Sequence, residues 1–110
     1  KPVNGSVVLL LGVTYKANVR DQRETPARPL AACLSAMGAE VRYFDPHAHT
    51  FTFNGRELVG EDDLEEALGK ADLSILVQAH NEILESGALK LARRILDTRG
   101  VLSGDNVERL

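Results

Sequence analysis

Cysteine is nearly absent. Cys33 is the single one in 110 residues, so the chain can form neither an internal disulfide nor a cysteine-based metal site. A reducing cytoplasm is the simplest setting for such a chain, and no metal is expected. Long hydrophobic runs are missing too. The longest, Val7 to Leu11, is far too short to cross a bilayer, and no charged-then-apolar segment opens the chain, so secretion is not suggested. Nor is there an excess of positive charge. With 13 Lys and Arg against 16 Asp and Glu, the net charge is -3, which gives no global pull toward nucleic acid or an anionic membrane. Two phosphate-binding patterns are also lacking. Gly12 is not followed by G-x-G-x-x-G, and Lys16 lacks both the adjacent glycine and the following Ser or Thr of a Walker loop.

What remains is an ordinary globular balance, 44% apolar and 26% charged, in a length that suits one compact domain. The opening Lys-Pro-Val-Asn-Gly stretch reads as the remnant of a linker, so a fragment of a longer protein is expected. Ser6 to Gly12 is a branched, apolar run closed by glycine, as befits a strand buried on both faces of a parallel sheet. Val13 to Thr25 has no period and reads as a long loop. Thr25-Pro26 predicts a helix start, with the threonine hydroxyl capping free amides and proline at the first helical position. Ala27, Leu30, Ala31, Leu34 and Met37 follow at helical spacing, and Gly38 supplies the stop. In this pattern Cys33 reads as a small buried hydrophobe.

Glu40 to Phe44 alternates like a strand and ends at Asp45-Pro46, where Asp45 reads as a terminating residue. Phe51 to Val59 resembles a hairpin around Asn54-Gly55. Glu61 to Leu68 predicts a short helix with acids at its front, ending at Gly69. Leu73 to Val77 is another buried strand and His80 to Ile83 a helical turn with His80 as its cap. Ala88 to Arg94 reads as a further helix and Ile95 to Asp97 as the last strand. Strands alternating with helices predict a three-layer α/β/α, Rossmann-like, mostly parallel sheet in a single domain spanning residues 1–110.

Ligands of open parallel sheets bind at the carboxyl ends of the strands. The first such loop, Val13 to Arg28, holds Lys16, Arg20, Arg23 and Arg28 against two acids, although the whole chain is acidic. Cations beside a helix amino terminus suit a diphosphate. The competing reading is a solvated loop with ion pairs such as Arg20 with Asp21 or Arg23 with Glu24, each worth ~0–1 kcal/mol.

The segment Leu11-Gly-Val-Thr-Tyr-Lys-Ala-Asn-Val-Arg-Asp-Gln-Arg-Glu-Thr-Pro26 resembles the motif opening the UDP-binding domain of the UDP-glucose/GDP-mannose dehydrogenase family. That motif runs Gly-x-x-(Tyr/Phe)-Lys, a spacer, then Asp-x-Arg-Glu-(Ser/Thr)-Pro. Gly12, Tyr15, Lys16, Asp21, Arg23, Glu24, Thr25 and Pro26 all match. Further similarity follows in order at Gly38-Ala-Glu-Val41, Tyr43-Phe-Asp-Pro46, Leu64-Glu-Glu-Ala67, Ala71-Asp72, His80-Asn-Glu82 and Leu96-Asp-Thr-Arg99.

The resemblance implies the carboxy-terminal domain of an enzyme that oxidises the C6 alcohol of a UDP-sugar to a carboxylate with NAD. UDP-glucose and UDP-N-acetylhexosamines are both candidate substrates. Tyr15, Lys16 and Arg99 are expected to meet the nucleotide sugar, and Arg23 to reach toward NAD. Asp21 and Glu24 read as structural, orienting Arg23 or closing the loop. The family's nucleophilic cysteine lies in a glycine-rich motif upstream, where it attacks the aldehyde intermediate. Neither that motif nor a Rossmann fingerprint is present, so no catalytic residue is assigned to this chain and it is expected to be inactive alone. Its expected partners are the amino-terminal NAD-binding domain of the same enzyme and, through a connecting helix, a second subunit of a homodimer. Two other readings stay open: a free-standing nucleotide-binding or regulatory module, and a purely structural α/β domain.

Overall fold

The computed structural model describes residues 3–109. Lys1 and Pro2, the start of the stretch read as a linker remnant, and Leu110 lie outside the described residues. The strands are β1 (Val7–Leu11), β2 (Glu40–Phe44), β3 (Thr50–Phe53), β4 (Arg56–Val59), β5 (Leu73–Leu76), β6 (Ile95–Asp97) and β7 (Val107–Arg109). The helices are α1 (Ala27–Ala36), α2 (Leu64–Lys70) and α3 (Asn81–Glu85), and Ala88–Leu91 forms a 3-10 turn.

Five strands form one sheet in the order β2-β1-β5-β6-β7, and every pairing in it is parallel. Side chains alternate across a strand, and β1 shows what that does in the middle of a sheet. Val8 and Leu10 face a core shared with Ala27 and Ala31 of α1 and with Phe51 and Phe53. Leu9 and Leu11 face a second core with Leu64 and Leu68 of α2, Ile83 and Ile95. Each fully buried leucine contributes about 2 kcal/mol of apolar transfer free energy. The outer layer on the α1 side is completed by the antiparallel β3–β4 hairpin, whose turn residues Asn54 and Gly55 have φ 50° and 71°, as a two-residue hairpin turn demands. The expected three-layer α/β/α architecture is present, with this hairpin beside α1.

Helix α1 ends in a Schellman motif. The amide of Ala39 donates to Leu34 O at 3.1 Å and that of Gly38 to Ser35 O at 3.0 Å, with Gly38 at φ 91°. At its start the Thr25 hydroxyl accepts from the Ala27 amide at 3.2 Å. Four expectations are corrected. Cys33 is exposed, because the buried stripe runs through Ala27 and Ala31 and position 33 lies about 120° around the helix from the first and about 160° from the second. Helix α2 begins at Leu64, not Glu61, because Asp63 is the residue whose carboxylate caps the Glu66 amide; Gly69 lies inside the helix. The segment from Ala88 is only a 3-10 turn. Asn106 Nδ2 bonds the carbonyls of Leu89 and Ala92 at 3.2 and 2.9 Å, and Ala92 is already extended. Finally, β6 is not the last strand. β7 pairs beside it in parallel, a half-buried Val107 followed by exposed Glu108 and Arg109, with too little apolar pattern to read as a strand.

Among the described residues, no helix is long and apolar enough to cross a membrane.

Candidate functional site at the carboxyl edge of the sheet

β1 lies between β2 and β5. The chain leaves β1 through α1 on one face, and reaches β5 through α2 on the other, so a crevice opens beyond the carboxyl ends of β1 and β5. Three connections meet there: the loop after β1, the Asp45 turn after β2, and the segment from Val77 to His80 after β5.

The loop after β1 is held by its backbone. Val13 and Thr14 are buried, and from Tyr15 to Arg20 every residue is exposed. The Val13 amide donates to Asp45 Oδ2 at 2.7 Å. The Thr14 hydroxyl donates to Lys16 O at 2.7 Å, and Thr14 O in turn accepts from the Thr25 hydroxyl at 3.1 Å. Gln78 Nε2 donates to Tyr15 O at 2.9 Å, while the Tyr15 amide closes the loop on Asp21 O at 2.6 Å. Asn18, at φ 62°, donates its amide to His80 Nδ1 at 2.7 Å and accepts the Asn81 amide on its side-chain oxygen at 2.8 Å. Under the loop, Gly12 approaches β5 so closely that an added Cβ would lie 2.7 Å from Gln78 Cβ and 2.8 Å from Gln78 O.

The floor of the site is therefore polar and closed. His80 is fully buried, and Asp45 and Gln78 nearly so. Asp45 Oδ2 lies 2.9 Å from His80 Nε2, and Asp45 Oδ1 accepts the His47 amide at 2.7 Å. Burial opposes the charge on Asp45, yet hydrogen bonds from His80 and from the amides of Val13 and His47 outweigh it and lower its pKa. His80 was expected to be a helix cap. It does precede α3, but its side chain makes no cap bond and turns inward, because buried acceptors and donors await it there. Asp45, expected only to end a strand, is the hub of this floor.

Above the floor stand the expected site residues. Tyr15 is exposed and Lys16 Nζ lies 5.5 Å from its ring centroid; among the described residues Lys16 has no ion pair. Arg23 is also exposed, its side chain 88% accessible, and its guanidinium is forked onto Asp21 at 2.9 Å with Nε to both carboxylate oxygens at 3.1 and 3.3 Å. That hydrogen bond, above all, holds the Asp21 pKa down at about 2. The partner of Arg23 is thus Asp21, as an orienting acid, and not Glu24. Arg28 is different from the other loop cations. It bonds Thr52 O and Gln22 O at 2.8 and 3.1 Å, tying the loop to the hairpin, so it is part of the fold.

Arg99 follows β6, on the far side of β5 from β1. Its placement comes from Asp97, a buried carboxylate that accepts the amides of Arg99 and Gly100 at 2.8 Å each and of Leu102 at 2.7 Å. The Arg99 side chain is left exposed. Thr98 secures the same turn, its hydroxyl donating to Leu76 O at 2.6 Å. The edge thus displays Tyr15, Lys16 and Arg23 on one loop and Arg99 on another; buried polar groups hold the backbone at Tyr15, Lys16 and Arg99, and Arg23 is oriented at the surface by Asp21. Among the described residues, no group of three or more His, Cys, Asp or Glu side chains is arranged to hold a metal ion.

Comparison with known proteins gives this arrangement its kin. The model for the UDP-glucose/GDP-mannose dehydrogenase family, UDP binding domain, matches residues 9–105. The chain belongs to this family. A UDP-N-acetyl-D-mannosamine dehydrogenase from Methanocaldococcus jannaschii is 32% identical to it over 110 aligned residues, covering 93% of this chain and 24% of the relative. A UDP-glucose 6-dehydrogenase from Rhizobium meliloti is 31% identical, covering 97% of this chain and 26% of the relative. Among solved structures, the NDP-N-acetyl-D-galactosaminuronic acid dehydrogenase from Methanosarcina mazei Go1 superposes with a TM-score of 0.77 at 26% identity, covering 99% of this chain and 25% of that one. The family domain described here spans about a quarter of the length of the curated relatives it matches.

Proposed function

We propose that this chain is the nucleotide-sugar-binding domain of an NAD-dependent dehydrogenase that oxidises the C6 alcohol of a UDP-sugar to a carboxylate. UDP-N-acetyl-D-mannosamine and UDP-glucose are the sugars named for the relatives just described, and the first of these is the favoured substrate. The observation that carries the reading is the fixed loop: its peptide groups are bonded to a buried floor while Tyr15 and Lys16 project from it at the carboxyl edge.

Lys16 and Arg99 supply positive charge where a diphosphate and its nucleoside would lie, and Tyr15 offers a ring face and a hydroxyl. Because the loop is already ordered, holding the nucleotide there costs little further entropy. Binding of that remote part then orients the sugar for reaction. The reacting groups belong to a part of the enzyme supplied elsewhere, and this chain acts by binding and orientation.

NAD accepts the hydrides that such an oxidation releases. The residues here fit only its edge. The glycine after β1 faces Gln78, so the close approach that elsewhere serves a dinucleotide pyrophosphate is filled by protein. What remains is Arg23, exposed and oriented by Asp21, which would reach a cofactor held mainly by an amino-terminal NAD-binding domain. A homodimer of the full-length protein belongs to the same proposal.

In the parent enzyme, Lys16→Ala and Arg23→Ala should each lower kcat/KM at least tenfold, ~1.4 kcal/mol. Near-wild-type kinetics for both would remove the site. Calorimetry of this chain with UDP measures how much of the site it carries by itself: micromolar affinity, about -8 kcal/mol, marks an autonomous nucleotide-binding module, whereas weak binding is the result expected of a half-site.

A further inference from the structure

We infer that His80 is a positioning residue for the nucleotide loop, a buried ring held in one tautomer that fixes the backbone between Tyr15 and Asn18. The inference rests on the proposed role of that loop in holding the nucleotide sugar.

The direction of each hydrogen bond decides the tautomer. The Asn18 amide can only donate, so His80 Nδ1, 2.7 Å away, carries no proton. The ring proton of the neutral imidazole is then on Nε2, which donates to Asp45 Oδ2 at 2.9 Å. Thr14 Oγ1, 3.2 Å from the same nitrogen, gives its own proton to Lys16 O, so toward His80 it too acts as acceptor. The donors and acceptors form one consistent series: His80 donates to Asp45 and Thr14, Thr14 donates to Lys16 O, and Asn18 returns a bond to the ring. The peptide carbonyl of Lys16 and the amide of Asn18 are thereby set from a single side chain. Gln78, two residues earlier, sets the carbonyl of Tyr15.

His80 acts through the loop and does not touch a ligand itself. The ring is wholly buried, both its nitrogens are engaged within the domain, and the His47 ring lies against it with centroids 4.6 Å apart. Its rigidity matters, because it spans from the carboxylate after β2 to the loop after β1 and holds the two at a fixed separation.

Two substitutions separate the ends of the ring. His80→Asn keeps an oxygen near the Nδ1 position to accept from Asn18, but loses the donor to Asp45. His80→Gln keeps a donor toward Asp45 and loses the Asn18 acceptor. Positioning predicts that His80→Gln is the more stable variant to urea, while its Asn18 amide exchanges roughly tenfold faster than in His80→Asn. Affinity for UDP should follow the exchange and not the stability, and be weaker in His80→Gln by roughly tenfold. A merely structural histidine would lower stability and affinity together in both variants, and that outcome overturns the inference. The wild-type chain gives a check that needs no substitution. Its imidazole nitrogen spectrum should show His80 protonated at Nε2 and bare at Nδ1, and the other tautomer or a doubly protonated ring at neutral pH also overturns it. If the wild type binds no UDP and Lys16→Ala leaves the parent enzyme unchanged, the nucleotide reading fails; the spectrum and the Asn18 exchange still judge His80.

Discussion

The floor and the rim of the carboxyl edge are both rich in polar groups, yet they obey different physics. On the floor, Asp45, His80 and Thr14 are buried, and their bonds close on one another. Each such bond contributes only about 1 kcal/mol net, but leaving one partner unsatisfied in the interior costs about 1–3 kcal/mol. On the rim, Tyr15, Lys16 and Arg23 stand in water, where solvent screens an ion pair such as Arg23 with Asp21 and leaves it little weight in the fold. The difference shows that one loop can be rigid and chemically available at once: its order comes from bonds to the floor below, so the side chains of Tyr15 and Lys16 need no internal partners. Substitutions on the rim should therefore read out as binding alone, and substitutions on the floor as stability and, where they free the loop as at His80, as binding too.

The largest effect is expected at the point where floor and sheet come closest. Gly12→Ala forces a side chain to φ 85° and into a space already occupied by Gln78. Backbone strain of ~1–2 kcal/mol adds to overpacking of ~1–3 kcal/mol. Urea unfolding should show a loss of about 3 kcal/mol or failure to fold; a loss below ~1 kcal/mol would mean that loop and strand part easily, and the floor would not be the rigid base described.

Next comes Asp97, the strut beneath Arg99. Burial works against its charge, but the amides of Leu102, Arg99, Gly100 and Val101 prevail and hold its pKa below the ordinary value of 3.8. A lowered folded pKa means that the unfolded chain takes up the proton first as pH falls. The stabilisation is thus complete above about pH 4 and is lost as pH descends through the folded value. Asp97→Asn should cost about 2 kcal/mol at neutral pH, and the gap between variant and wild type should narrow on acidification. A gap that stays constant from pH 7 to the acid limb would show that the charge of Asp97 is irrelevant to the turn.

The same division explains what the sequence discloses. Local chemistry was legible: the apolar run of β1, the Thr25-Pro26 start and Gly38 stop of α1, and the Asn54-Gly55 turn each signal through neighbouring residues. The rim was legible because its residues form one contiguous motif. The floor was not, since its members are 35 residues apart for Asp45 and His80 and 66 for Thr14 and His80, and only the strand order brings them together. A hint did exist, in that Asp45 and His80 each follow a strand ending at the same edge as β1. Cys33 and Arg28 misled for another reason. Apolar spacing does not tell the buried stripe of a short helix from its flank, and charge counting does not tell a free cation from one bonded to the hairpin.

On the rim the expected effect is divided in two. Lys16→Ala, which should lower kcat/KM in the parent enzyme, should leave the stability of this chain within ~0.5 kcal/mol of wild type, because among the described residues its ammonium meets only the exposed Tyr15 ring. A larger loss of stability would place Lys16 among the residues that build the loop and blur the distinction between the two tiers.

The smallest effect tests the rule for the floor by its exception. Ser74 is buried in β5, and its hydroxyl finds no hydrogen-bond partner among the described residues. Its backbone is paired, the amide donating to Arg94 O at 2.9 Å, so only the side chain is in deficit. If burial of polar groups is tolerated at Asp45 and His80 because every atom there is bonded, then an unbonded hydroxyl should be a net cost. Ser74→Ala removes that oxygen, leaves a methyl that fits any space the serine occupied, and strands no partner. It should stabilise the chain by up to about 1 kcal/mol, seen as a higher urea midpoint with unchanged slope. A destabilisation of ~1 kcal/mol or more would reveal that the hydroxyl is bonded in solution, by a buried water, and that the core tolerates polar groups more widely than the floor alone suggests.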